Sequence, residues 1–257
     1  MIKTNQIIQW NCIDELKKLP DNCVDLIFAD PPYFLQLPEH WRRLIRENGT
    51  EVIPVEDERD KFKDYDEYDQ FCADWIKECQ RIVKPTWSIR IIGMYHNIFR
   101  VGKIMQDLWL WFLNDVIRVK KDALPNFNGR RMTNNHETII WAVKDKNCKQ
   151  YTYNYEFMKN LNWWVQLKDT DWNFWLCRGN ERLKDGNWIK AHPTQKPAKL
   201  LQQIIIAASN EWDIVLDPFF GTWTTGHVAQ VLKRKWIWIE KSEKYVKLAK
   251  ERIESIS

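Results

Sequence analysis

A doubly wound α/β fold around a mostly parallel sheet is the architecture this sequence predicts, on three observations. Val24-Asp-Leu-Ile-Phe-Ala29 is a short apolar run of strand formers that stops at the breaker series Asp30-Pro31-Pro32. Residues 214–240 read as strand, small-residue loop, helix and strand. That order is one βαβ unit, and its crossover makes the two strands parallel. Amphipathic helical patterns alternate with short strand-like runs over most of the remaining chain.

The elements follow in order. After the first strand, the acidic and patternless stretch 37–68 reads as a long loop. From Tyr68 to Val83 apolar residues recur at helical spacing (Phe71, Trp75, Ile76, Cys79, Ile82), and the pattern stops at Lys84-Pro85. Ser88–Ile92 is strand-like, and Ile98–Leu108 is an amphipathic helix. Asp115–Val119 and Thr138–Val143 predict two further strands, separated by a polar loop over 120–135. Residues 144–190 lack a clean period and read as an insert or variable lobe; the range 120–190 as a whole is expected to face a polymeric partner. Lys199–Ala208 is helical, Ile214–Leu216 a buried strand, Thr225–Lys233 a helix, Trp236–Ile239 a strand ending at Glu240, and Lys244–Ile253 a closing helix. A single domain over 1–257 is expected, without a separate C-terminal module.

Composition narrows the class. With 29 % charged and 44 % hydrophobic residues the chain is not a disordered tail. No apolar run approaches the roughly 18–20 residues that cross a bilayer, and the N-terminus lacks a secretory layout, so no membrane partner is expected. Six scattered cysteines without a C-x-x-C pair read as reduced thiols of the cytoplasm, neither a disulfide framework nor a zinc site. His136-Glu137 fails the H-E-x-x-H geometry because Ile140 stands where the second histidine belongs, so no metal is expected. A net charge of +4 is mildly favourable to nucleic acid and supports nothing alone.

Two loops stand at carboxyl ends of predicted strands, where open α/β sheets bind ligands. In Asp30-Pro31-Pro32-Tyr33 two prolines lock the backbone, a carboxylate offers acceptors beside the Pro31 carbonyl, and a ring can stack on a planar group. Such a device suits an amino group on a flat ring, although D-P-P read alone is a strand-capping turn. In the second loop, Asp217-Pro-Phe-Phe-Gly-Thr-Trp-Thr-Thr-Gly226, a carboxylate and a small-residue turn open a helix. About twenty residues on, Glu240 ends the next strand, where a carboxylate typically meets ribose hydroxyls.

Asp30-Pro-Pro-Tyr33, Ala191-His-Pro-Thr-Gln-Lys-Pro197 and Asp217-Pro-Phe-Phe-Gly221, in that order, resemble the β class of S-adenosylmethionine-dependent DNA amino-methyltransferases. Gly93–Gly102, Asn114-Asp115, Pro125–Gly129 and Asn135–Thr138 extend the resemblance to the N6-adenine enzymes of GANTC sites, including the cell-cycle-regulated type. The resemblance implies a sheet of the methyltransferase type, with Asp30, Pro31, Pro32 and Tyr33 as the catalytic loop acting on an adenine extruded from double-stranded DNA. It implies S-adenosyl-L-methionine as cofactor, held by Asn11, Cys12, Asp30, Asp217, Phe219, Gly221, Thr222, Thr224 and Glu240. Thr194 and Lys196 would meet its methionine end. Arg42, Arg43, Asn126, Arg130, Arg131, Asn134 and His136 are the candidate DNA contacts. A second copy of the chain and a cognate restriction enzyme are the candidate partners beyond DNA. The rivals are N4-cytosine methylation and, in another class, an inactive DNA-binding homologue.

One anomaly decides between active and inactive. The chain has 16 Trp and only 8 Gly, where glycine ordinarily makes up about 7 %. Members of the resembled group carry glycine at or near Trp10, Trp87, Trp109, Trp188, Trp212, Trp223 and Trp238, and tryptophan at Arg59, Arg90 and Arg118. Two directed swaps with intact motifs are not the pattern of random drift. The expectation is a gene read under the wrong genetic code, its suspect codons meaning glycine and tryptophan in the source organism. If the residues are genuine, a poorly stable chain with little cofactor affinity is expected.

Overall fold

The computed structural model describes residues 2–36, 44–45, 51–52, 61–123, 130, 132–161, 171–177, 181–182, 195–221 and 224–254. Ten strands and seven helices are found among them, in the order β1 (Gln6–Gln9), α1 (Cys12–Lys18), β2 (Val24–Ala29), β3 (Leu44–Ile45), β4 (Glu51–Val52), α2 (Tyr65–Ile82), β5 (Val83–Gly93), α3 (Ile98–Asp107), β6 (Trp111–Lys120), β7 (His136–Val143), α4 (Tyr155–Asn160), β8 (Asp171–Phe174), α5 (Ala198–Ala208), β9 (Ile214–Asp217), α6 (Thr224–Val231), β10 (Lys235–Glu240) and α7 (Glu243–Glu254).

Eight strands form one sheet in the order β1-β10-β9-β2-β5-β7-β6-β8, while β3 and β4 pair with each other. Neighbours from β1 to β5 are parallel, β7 runs antiparallel to both β5 and β6, and β8 is parallel to β6. So β7 is the one reversed strand of the main sheet, and the expected mostly parallel α/β fold is what forms. The β2 run shows why: Ile27 and Ala29 join the core that holds α1, α2 and α3, and Leu26 and Phe28 join the core that holds α5 and α6. A strand covered on both faces must be apolar at every such position, which is how a near-continuous hydrophobic run differs from an alternating one.

Two expectations need correction, and two elements are added. The described residues of 144–190 are not a lobe apart: α4 packs beside α5, and β8 adds an edge strand to the main sheet. Helix α2 starts at Tyr65, capped by the Asp64 carboxylate accepting from the Glu67 N–H at 2.9 Å, so the preceding loop ends earlier than the apolar pattern indicated. The first twenty residues hold β1 and α1, which the polar ends of both elements hid.

The suspect positions are unusual in the fold. Helix α3 ends in a Schellman motif: Trp109 N–H donates to the Gln106 carbonyl and Leu110 N–H to the Met105 carbonyl. Trp109 is therefore the left-handed residue, with φ 64° and its indole 83 % exposed. That position belongs to glycine because it has no Cβ to clash. Trp212 sits third in the turn closed by Asp213 N–H and the Asn210 carbonyl, with φ 73° and an exposed ring. Arg90 and Arg118 are buried inside the sheet, and the Nε and Nη2 of each lack a hydrogen-bond partner. Burial pushes the Arg90 guanidinium down to about 10. Arg234, by contrast, spends its guanidinium on Ser209 and the Leu232 carbonyl. Trp238 is fully buried between Phe220 and Trp236, with its Nε1 unpaired. Trp10 is exposed and Trp87 half-buried against the core. Arg59, Trp188 and Trp223 lie outside the described residues.

Candidate functional site

Strand direction gathers the chemistry on one edge. The ends of β2, β9 and β10 are neighbours in the sheet, so Asp30, Asp217 and Glu240 come to the same carboxyl edge. The reversed strand β7 begins at that edge, which brings His136 and Glu137 there as well. Burial first, and then the charges of Asp30 and Glu240, push up the Asp217 carboxyl.

In the first loop Asp30 is held on both oxygens. The Tyr33 O–H donates to Oδ1 at 2.8 Å, and the Lys196 ammonium donates to Oδ2 at 2.7 Å and to the Tyr33 hydroxyl at 3.1 Å. Burial, then the Asp30 charge, hold the Tyr33 phenol well above its ordinary value, so it stays protonated and donates. The turn that follows is strained, with Phe34 at φ 51° and Gln36 at φ 45°. Phe34 is clamped there by rings, stacked 5.6 Å from Tyr68 and edge-on to Phe62 and Tyr65.

A relay from β5 fixes the same loop. Met94 N–H donates to Asn97 Oδ1 at 2.9 Å, Asn97 Nδ2 donates to the Tyr68 hydroxyl at 3.2 Å, and Tyr68 donates to the Pro32 carbonyl at 2.8 Å. Gly93 permits this, because a Cβ there would stand 2.7 Å from Asn97 Oδ1. Tyr68 and Asn97 were not singled out as functional by the sequence. The pattern showed Tyr68 only as the start of an amphipathic helix, and its hydroxyl partner is 36 residues away.

In the second loop Phe219 N–H donates to Asp217 Oδ1, and Phe219 packs edge-on to Trp75. Gly221, at φ 59°, donates its N–H to Glu240 Oε2 at 2.8 Å, and Ser242 N–H donates to Oε1 at 2.8 Å. Thr224 is buried at the start of α6 with its hydroxyl unpaired. Asn11 caps α1, its Oδ1 accepting from Ile13 N–H at 2.9 Å, and buried Cys12 is pushed up to about 12 by desolvation. Asn11 thus does a helix-capping task, and Cys12 is an inert thiol packed in the core.

Burial raises the Asp217 carboxyl from 3.8 to about 7. Between those values the folded chain holds a proton that the unfolded chain has released. Stability therefore falls as pH rises from about 4 to about 7, by at most roughly 1.4 kcal/mol per pH unit from this group, and levels off above. Urea unfolding across that range shows the slope, and Asp217→Asn removes it.

The described residues nominated for DNA lie on the approach to β7. His136 and Arg130 are exposed and Asn134 is half-buried on the path into β7. Glu137 is buried against Arg118, to which it is hydrogen-bonded. Burial pushes the Glu137 carboxyl up, yet the cations Lys196, Arg118 and Lys120 outweigh it and hold the group below its ordinary value. Arg42, Arg43, Asn126, Arg131, Thr194 and Thr222 lie outside the described residues. Among the described residues no helix is long and apolar enough to cross a membrane.

Comparison with known proteins shows what the chain is similar to. A family model described as DNA methylase, of the N6/N4 methyltransferases, matches residues 24–251. The Type II methyltransferase M.HinfI of Haemophilus influenzae is 50 % identical over 252 residues, covering 98 % of this chain and 69 % of that protein. The Type II methyltransferase M2.DpnII of Streptococcus pneumoniae is 37 % identical, covering 93 % of this chain and 86 % of its own. Among solved structures, M1.HpyAVI in complex with its SAM ligand superposes with a TM-score of 0.69 at 25 % identity, covering 96 % of this chain and 98 % of that one. The cytosine-N4-specific PvuII methyltransferase gives 0.73 at 20 % identity over 98 % of this chain and 87 % of that one, which speaks to fold alone. With the model spanning nearly the whole chain and two relatives matched over most of their length, the chain belongs to the N6/N4 DNA methylase family and is a DNA methyltransferase.

Proposed function

We propose that the chain transfers a methyl group from S-adenosyl-L-methionine to the N6 of an adenine in double-stranded DNA, at GANTC, as a single methyltransferase domain. The observation that carries this reading is the placement of Asp30 and Tyr33 on the strand end next to the Asp217 and Glu240 loops.

The residues present fit the cofactor. Glu240, at a strand end, offers carboxylate oxygens to a ribose diol, the buried Thr224 hydroxyl still has its hydrogen bond to make, and Gly221 turns the backbone in the left-handed region that favours glycine. Asp30 and Asp217 complement the positive charge of a sulfonium compound. The cofactor supplies an electrophilic methyl group on that sulfonium. Asp30 and the Pro31 carbonyl accept the two N–H bonds of the amino group, which turns the nitrogen lone pair out of conjugation with the ring and toward the methyl. Tyr33 covers the base, which must leave the duplex because its N6 is otherwise paired. After transfer the amine sheds one proton to Asp30 or to water.

GANTC rests on the resemblance of 93–102, 125–129 and 135–138 to enzymes of that site. The test is to incubate the chain with labelled cofactor and duplexes carrying GANTC, GATC or neither, then digest the DNA and identify the nucleoside. N6-methyladenine from the GANTC duplex alone is expected; N4-methylcytosine, or equal labelling of all three, overturns the reading. A second reading, an inactive DNA-binding homologue, is favoured by the buried indole of Trp238 packed against Phe220 in the cofactor loop. Titration calorimetry with the cofactor separates the two, since an inactive homologue gives no heat.

A further inference from the structure

Asp30 meets a target amino group already engaged, with Tyr33 donating to one oxygen and the Lys196 ammonium to the other, so an incoming N–H competes with a charge-assisted bond for the carboxylate. Lys196 is the stronger obstacle. Its ammonium is buried, pairs with the carboxylate at 2.7 Å and stands 3.1 Å from the Tyr33 hydroxyl, between the two side chains of the loop that would meet the base. The lysine is also placed to leave. It stands on the short segment 195–197 ahead of α5, anchored on both sides: Cys177 Sγ donates to the Gln195 carbonyl, and the Glu181 carboxylate accepts from Ala198 N–H. Only the side chain has to move. Buried Glu137 already feels the Lys196 charge, so the ammonium keeps a counter-charge when it swings away from Asp30.

We propose that Lys196 is a positioning residue that keeps Asp30 closed to a target base until the cofactor's carboxylate draws it off, so that cofactor binding precedes base capture. This rests on the methyl-transfer reading above. An amino group is a neutral donor and displaces a buried ammonium from a carboxylate poorly, whereas a second carboxylate competes for it on equal terms. The ordering protects the site chemically: a base enters only when a methyl donor is present to meet it.

The test is base extrusion, which needs no turnover. A GANTC duplex carries 2-aminopurine next to the target adenine, so that fluorescence rises when the adenine leaves the stack. With the full chain as it stands, the signal is expected to rise several-fold on adding S-adenosyl-L-homocysteine, which has the carboxylate and no methyl to transfer. It stays low with saturating 5′-methylthioadenosine, which has the nucleoside and no carboxylate. Lys196→Met, and Lys196→Gln should the first variant fold poorly by circular dichroism, are expected to show the raised signal with neither nucleoside, while Lys196→Arg keeps the dependence. A raised signal in the unaltered chain without nucleoside, or a Lys196→Met chain that still needs the carboxylate, overturns the proposal. Nucleoside analysis of an all-adenine duplex is run beside it. Product N6-methyladenine with unordered extrusion removes the latch alone; absence of that product removes the methyl-transfer reading.

Discussion

Replacing Trp109 and Trp212 by glycine and Arg90 and Arg118 by tryptophan in one chain raises its stability by several kcal/mol. Each left-handed indole costs about 1–2 kcal/mol in Cβ sterics. Glycine gives back part of this, roughly 0.5–1 kcal/mol, through its larger unfolded-state entropy. The rings themselves contribute little packing, since both are exposed. The arginines carry the larger share. A buried guanidinium has an effective desolvation cost of several kcal/mol. At Arg90 the only aromatic compensation among the described residues is a cation–π contact 4.5 Å over the Trp141 ring, about 2 kcal/mol when desolvated. Tryptophan at 90 would stack on Trp141 and leave no buried charge. At 118 the change removes the partner of Glu137, but Lys196 and Lys120 remain to compensate that carboxylate.

For a chain of this size about 1 kcal/mol moves the melting midpoint by roughly 2–4 °C. A combined rise on the order of 10 °C is therefore expected in differential scanning calorimetry. A glycine pair that melts lower than the chain as it stands would show that the indoles are genuine. Trp238 sharpens the comparison. A buried tryptophan that belongs where it is costs about 3–5 kcal/mol on truncation. Trp238→Gly is expected to cost much less than that once Trp10, Trp87, Trp188 and Trp223 are also glycine, and that chain is expected to bind the cofactor more tightly than the unaltered one in titration calorimetry. The gene decides independently: one triplet shared by the suspect tryptophans and by Trp75 and Trp141 ends the recoding reading.

The sheet and both ligand loops were legible in the sequence because they depend on local signals. An apolar strand stopped by Asp-Pro-Pro announces β2 and its loop whatever else the chain does, and β9, α6 and β10 follow one another without interruption. What stayed hidden depends on distance along the chain. Lys196 reaches Asp30 across 166 residues, so its ion pair has no local trace. The motif containing it marked a cofactor contact instead. β8 was missed because four residues, Asp-Trp-Asn-Phe, form a strand only by pairing with β6. Asn11 shows a second kind of limit: a helix cap has the same sequence signature as a ligand-binding polar residue, and the Ile13 bond shows the capping task that the motif alone did not announce.

Asp30→Asn abolishes measurable methyl transfer while leaving DNA affinity close to that of the unaltered chain. The substitution keeps the shape of the side chain and exchanges one acceptor oxygen for an N–H donor, which points a like group at the amino hydrogens it should receive. Loss of a positioned acceptor of this kind costs about 10²–10⁴-fold in rate, and it appears in kcat rather than KM because the contact strengthens as the nitrogen gives up its lone pair. Asp30→Ala goes further and harms the fold. It leaves the buried Lys196 ammonium without its nearest partner, and removing one member of a buried pair costs about 3–5 kcal/mol. The asparagine variant keeps a carbonyl oxygen for Lys196 and is therefore the cleaner probe. Single-turnover rates with duplex DNA, read beside urea unfolding of each variant, separate the two effects. An Asp30→Asn chain that methylates within tenfold of the original would remove Asp30 from the chemistry and with it the reason for Lys196 to guard it.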